Sequence, residues 1–184
     1  MPTRQLMLTQ LKCLTETSED GNDSPYLMVF MGLRSANAGV PASGKLFRVR
    51  DPAWDGAFHS GKTINTHQIV SEAEAGGFFV FVTLVEEDYD PDLASGGFLQ
   101  ALILAQWQVY GGAGWANLTS SQLQQIFRGK MATLVQASLS NDEYIQTKSF
   151  VVPTVTTETA LSPLSFSGDD GVYSVTFTVR IKGA

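Results

Sequence analysis

Carboxylates are the side chains of this 184-residue chain best placed to do chemistry. Thirteen of its eighteen Asp and Glu residues fall in four short stretches, 16–23, 86–92, 142–143 and 169–170, and every stretch flanks a segment that reads as a strand. The densest is Glu86-Glu87-Asp88-Tyr89-Asp90-Pro91-Asp92, with five carboxylates in seven residues. Like charges this close repel one another, and water, a cation or a basic partner must compensate them. The plain alternative is that acids crowd into loops because loops are wet. If the stretches at 16–23, 86–92 and 142–143 meet at one edge, however, six or more carboxylate oxygens converge there. Calcium takes roughly six to eight hard oxygen ligands and accepts them from loops of flexible geometry. One cysteine and two histidines make no zinc-like set to compete with it.

The segments that must hold these acids are mostly strands. Residues 4–15 alternate loosely, and Tyr26-Leu27-Met28-Val29-Phe30-Met31 is apolar on both faces, as a central strand would be. Lys45 to Arg50 and Lys62 to Val70 read as further strands, the second of them exposed. The apolar run from Gly77 leads straight into the acidic turn at Glu86. The last strand, Gly171 to Ile181, alternates cleanly. Tyr173, Val175, Phe177, Val179 and Ile181 share the face expected to be buried, and Val172, Ser174, Thr176, Thr178 and Arg180 share the wet one.

Between the acidic turn and Tyr144 the period changes. Phe98 to Trp107 reads as a short, mostly buried helix, and Gly111-Gly112-Ala113-Gly114 ends it. Thr119 and Gln122 fit a capping box, in which each side chain bonds a free backbone N–H at the helix start. Leu123, Ile126, Phe127, Met131, Leu134 and Val135 then form one apolar stripe. The fold expected is all-β: a single-domain (1–184) antiparallel β-sandwich of seven or eight strands with a two-helix insertion near residues 97–139. The helix at 98–109 either packs on the open face of the sandwich or serves as an assembly surface, because a helix apolar nearly all round must be covered by something.

Several weaker patterns lose on physical grounds. Gly39 to Leu46 nearly spells a phosphate-binding loop, but Leu46 stands where a hydroxyl should hold magnesium, and a strand follows where a helix is needed. His59 and His67 have no nucleophile motif beside them, and Cys13 reads as a small strand residue. A net charge of −6 with scattered basic residues argues against nucleic acid, which needs a basic stripe. Arg48 and Arg50 are the one close basic pair on a strand face. No signal-like run and no membrane-length apolar segment is read, so the location expected by default is the cytoplasm.

Two segments give the chain a resemblance to the C2 domain, the calcium- and lipid-binding β-sandwich. Gly21-Asn22-Asp23-Ser24-Pro25-Tyr26-Leu27 is similar to the family's first loop running into its second strand, and Val85 to Asp90 is similar to its apolar strand ending in alternating aspartates. The resemblance implies Asp20 and Asp23 as first-loop calcium ligands, Asp88 and Asp90 as second-loop ligands, and Asp142 as the late ligand. Glu87, within the same acidic turn, joins that candidate set. The family carries Asp directly before Pro-Tyr, whereas this chain has Ser24 there and Asp23 one earlier. In an extended segment that shift turns the side chain the other way. The negative charge and the lack of a basic concave strand make a membrane surface the less expected partner.

Three function classes follow. The first is a non-catalytic binding or assembly module with a calcium site at one loop edge. The second is a structural, self-assembling protein in which the helices make homo-oligomer contacts and the acids only solubilise. The third is a hydrolase working with paired carboxylates. The expected partners are the chain itself or another protein, and no catalytic residue is assigned.

Overall fold

The computed structural model describes residues 3–17, 23–35, 37, 40–73, 78–87, 96–139, 142–153, 155–168 and 170–182. Two antiparallel sheets face each other. The first has the order β4(Thr63–Ala73), β1(Arg4–Thr15), β9(Gly171–Ile181), and then β7(Thr159–Ala160) and β8(Leu164–Gly168) one after the other along the far edge of β9. The second has the order β3(Ser43–Val49), β2(Pro25–Leu33), β5(Phe79–Glu86), β6(Glu143–Val151). The helices α1(Gly96–Tyr110) and α2(Ser120–Ser138) are inserted between β5 and β6. The chain is an antiparallel β-sandwich with a two-helix insertion.

Nine strands are found among the described residues, beyond the seven or eight expected. β7 is two residues long and β8 is Leu-Ser-Phe-Ser-Gly, in which only Phe166 is buried, so neither carries a readable hydrophobic period. The loose alternation of β1 has a physical cause. A register shift against both neighbours falls between Leu8 and Gln10, so the inward positions switch from Leu6 and Leu8 to Leu11 and Cys13. A bulge of this kind adds one residue to one strand and keeps both halves facing the core.

β2 and β5 bury both faces, and that places the helices. Leu27, Val29, Val80, Val82 and Leu84 point into the core between the sheets. Tyr26, Phe30, Phe79, Phe81 and Val85 point the other way and make a second core with Leu99, Ile103 and Trp107 of α1 and Leu123, Phe127, Met131 and Val135 of α2. Trp107 is its centre, with its ring centroid 5.0–5.9 Å from those of Phe30, Phe79, Phe81 and Phe127 and its Nε1 donating to the Leu33 carbonyl at 3.1 Å. The indole lies so close to β2 that a Cβ on Gly32 would stand 2.4 Å from it. α2 begins with the expected capping box: Gln122 N donates to Thr119 Oγ1 at 3.2 Å and Thr119 N to Gln122 Oε1 at 2.9 Å. Arg34 ties the turn between the helices to the end of β2 by donating to the carbonyls of Leu118 and Trp115, each at 2.9 Å. No described helix is long and apolar enough to cross a membrane.

Candidate functional site: the acidic end of the sandwich

Antiparallel pairing carries three of the acidic stretches to the same end of the second sheet. Pro25 opens β2 opposite Glu86 at the end of β5, and Glu86 stands opposite Glu143 at the start of β6. One residue further, Glu87 N donates to the Ser24 carbonyl at 3.2 Å, and Ser24 N donates to Glu86 Oε1 at 2.7 Å. Of the candidate ligands, Asp23, Glu87 and Asp142 are brought to this end. Asp20, Asp88 and Asp90 lie outside the described residues.

The three placed carboxylates address different sides of the sheet. Asp23 is 3% exposed and turns to the inner core. Its Oδ1 accepts from Thr17 Oγ1 at 2.8 Å, and its Oδ2 accepts from Thr17 N at 3.1 Å and from the Tyr173 hydroxyl of β9. Its own backbone bridges Phe58. Burial, with the Asp23 hydrogen bond and charge adding to it, pushes the Tyr173 hydroxyl far up. Burial and the charge of Asp23 also push the Cys13 thiol up to about 11. Ser24 takes the opposite direction, its Oγ accepting from Gly56 N at 2.7 Å. Asp23 thus ties Thr17 to Tyr173 of β9.

Glu87 and Asp142 lie on the outer side, with Tyr26, Arg48 and Arg50. Asp142 Oδ2 accepts from the Tyr26 hydroxyl at 2.8 Å, and the Arg48 guanidinium covers the Tyr26 ring at 4.1 Å from its centroid. Burial, aided by Asp142, pushes the Tyr26 hydroxyl far up. Glu87 is 8% exposed and pairs through Oε2 with Arg50 Nε at 3.1 Å, while Arg50 Nη2 also reaches Asp55 at 3.2 Å. Glu87 Oε1 is buried and has no hydrogen-bond partner among the described residues. Burial raises the Glu87 carboxyl above its ordinary value of 4.5. Arg50 and Arg48 oppose that, and the nearby charge of Asp142 adds to it.

Among the described residues no group of three or more His, Cys, Asp or Glu side chains is placed to hold a metal ion. His59 and His67 are both exposed. Trp54 and Trp107 are buried in the two cores, and the half-exposed Trp115 packs against Tyr110, its ring tilted, at 5.4 Å between centroids. Sequence reasoning missed Tyr26, Tyr173 and Arg50 as partners of the acids. The tyrosines read simply as apolar strand positions. The Arg48-x-Arg50 spacing was a usable signal, since period two puts both guanidiniums on one face beside the acidic turn.

No protein-family model matches the sequence, and no curated protein matches it. Two solved structures of human GIVD cytosolic phospholipase A2 are similar in outline. One, in complex with methyl gamma-linolenyl fluorophosphonate, has 9% identity and a TM-score of 0.35 over 98% of this chain and 17% of that chain. The other, with the same inhibitor and terbium chloride, has 8% identity and a TM-score of 0.35 over 99% and 18%. The chain spans only a small part of that enzyme's length.

Proposed function

We propose that this chain is a non-catalytic binding module that takes calcium at the acidic end of its sandwich. The observation that carries the reading is Glu87 Oε1, a buried carboxylate oxygen with no donor among the described residues, at the end where β2, β5 and β6 bring acidic stretches together. An anionic oxygen removed from water without a partner costs several kcal/mol, roughly, unless it is protonated or meets a cation. Asp88 and Asp90, next in the chain, and Asp20 of the first acidic stretch supply the remaining hard ligands in this reading. Asp23 and Asp142 hold the frame through Tyr173 and Tyr26.

The test is a thermal melt in EDTA and again in millimolar calcium, with magnesium as control. A ligand at about 100 times its dissociation constant adds about 2.7 kcal/mol to the folded state. For a chain of this size that is a rise of roughly 5–10 °C. Calcium alone should produce it, and Asp88→Asn and Glu87→Gln should each reduce it. A melt unmoved by calcium ends this reading.

A further inference from the structure

The outward face of α1 is as apolar as its inward face. Leu99, Ile103 and Trp107 point into the outer core, yet Phe98, Ala101, Leu102, Ala105 and Val109 are exposed, with Phe98 at 65%, Val109 at 53% and Leu102 at 37%. At 100° per residue these five positions fall within one sector of the helix about 100° wide and about 16 Å long. α1 contains no Asp, Glu, Lys or Arg. The outward positions of α2, by contrast, include Gln125, Arg128, Lys130 and Gln136, the ordinary wet face of a surface helix. Val40, itself exposed, lies beside Val109 along a shared surface groove and extends the patch.

We propose that this face is a twofold, helix-to-helix contact between two copies of the chain, with the two α1 helices antiparallel. Three features select a second copy as the occupant. First, no charge has to be desolvated when the stripe meets itself, although each chain carries −6 overall. Second, the stripe is complementary to its own reverse. An axis passing midway between Leu102 and Ala105 sets the bulk of Leu102 on the small Ala105 of the other copy and sets Phe98 against Val109. Large-on-small alternation of this kind lets two helices approach closely, and a twofold contact uses the same patch on both sides. Third, Gln106 and Gln108 flank the stripe on its two sides and give it a polar rim without charge. The exposed side chains of the stripe and Val40 form one apolar patch, the kind of surface that marks an interaction site. A lipid surface is the poorer match, because interfacial helices carry Lys and Arg beside the apolar face and α1 has none.

The experiment is sedimentation equilibrium of the full chain in EDTA, which keeps the outcome independent of calcium, from micromolar to submillimolar loading. The mass should climb from the 19.9 kDa of one chain toward twice that value. Leu102→Glu and Ala105→Glu, each checked for an unchanged circular dichroism spectrum, should weaken the association by at least about 100-fold, since each buries a charge without a partner. A mass that stays at one chain at the highest loading overturns the proposal, as does a folded Leu102→Glu variant that associates like wild type. The register has its own readout. In an equimolar mixture of Leu102→Cys and Ala105→Cys chains, mild oxidation should give the mixed disulfide well beyond the twofold excess over each self-disulfide that random pairing produces. A statistical 1:2:1 distribution, or an excess of either self-disulfide, would overturn the antiparallel arrangement. The native Cys13 does not interfere, being buried with its thiol pushed up to about 11. Binding of a monomeric chain to phosphatidylcholine vesicles, lost in Leu102→Glu, would assign the face to lipid instead.

Discussion

Asp23 and Glu87 are both nearly buried carboxylates at one end of the sandwich, and their surroundings give them opposite roles. Asp23 accepts from Thr17 N, Thr17 Oγ1 and the Tyr173 hydroxyl, so removing a donor leaves a buried acceptor short. Tyr173→Phe keeps the ring in the core and deletes only that donor. A buried hydrogen bond to a charged group is worth about 1.5–3 kcal/mol, so the variant should melt roughly 3–12 °C lower. A denaturation midpoint within error of wild type would remove Asp23 from the structural frame. Glu87 works the other way. Burial holds its carboxyl above 4.5 in the folded chain, so the folded state keeps the proton to higher pH than the unfolded state does. The stability Glu87 contributes is therefore full below 4.5 and is lost as pH rises from there through its raised value. Glu87→Gln, which cannot ionise, should gain stability relative to wild type as pH climbs across that window in the absence of metal. Parallel melting curves of the two chains from pH 4 to 8 (about that range, set by where carboxylates titrate) would refute the assignment. Neither role was legible in the sequence. Strand period two puts Asp23 and Ser24 on opposite faces, but only the position of β9 makes Tyr173 the partner of one of them.

At the scale of elements, the insertion was readable in its boundaries and only half readable in its packing. The capping box at Thr119 and Gln122, the glycine run at 111–114 and the apolar spacing of α2 are local signals, and local signals survive in sequence. The seat of α1 is not local. It depends on Gly32, whose missing side chain leaves room for the Trp107 indole, and nothing near residue 32 announces a tryptophan 75 positions later. Gly32→Ala puts a methyl group where the ring lies, 2.4 Å from Trp107 Cε2, and the indole must tilt away from its bond to the Leu33 carbonyl. Overpacking of this kind costs about 1–3 kcal/mol. A lower melting temperature together with a changed tryptophan near-ultraviolet dichroism is the expected result. An unperturbed spectrum would mean that Trp107 is not packed against β2. The bulge in β1 belongs to the same class of feature: the sequence shows a weak alternation, and the pairing with β4 and β9 shows why it is weak.

For the whole molecule, the question is whether the insertion is a separable addition or part of the fold. The second sheet answers it through Phe30, Phe79, Phe81 and Val85, which face away from the sandwich core and are buried in one cluster with side chains of α1 and α2. Each large apolar side chain uncovered forfeits about 1.5–3 kcal/mol. Four such losses, about 6–12 kcal/mol together, are comparable with the roughly 5–15 kcal/mol that holds an ordinary domain together. The helices in turn have no core of their own, since Trp107 and Phe127 are buried against the rings of Phe30 and Phe81. Sheet and helices should therefore unfold together. Urea titrations followed by far-ultraviolet dichroism at a helix-sensitive wavelength and by tryptophan fluorescence should give one coincident transition. Replacing residues 96–139 with a short Gly-Ser linker should yield a chain that aggregates instead of a smaller stable sandwich. Separate transitions, or a soluble truncated sandwich with a cooperative melt, would show that the outer core contributes little. The α1 contact between copies would then sit on a detachable element rather than on one rigidly coupled to the acidic end.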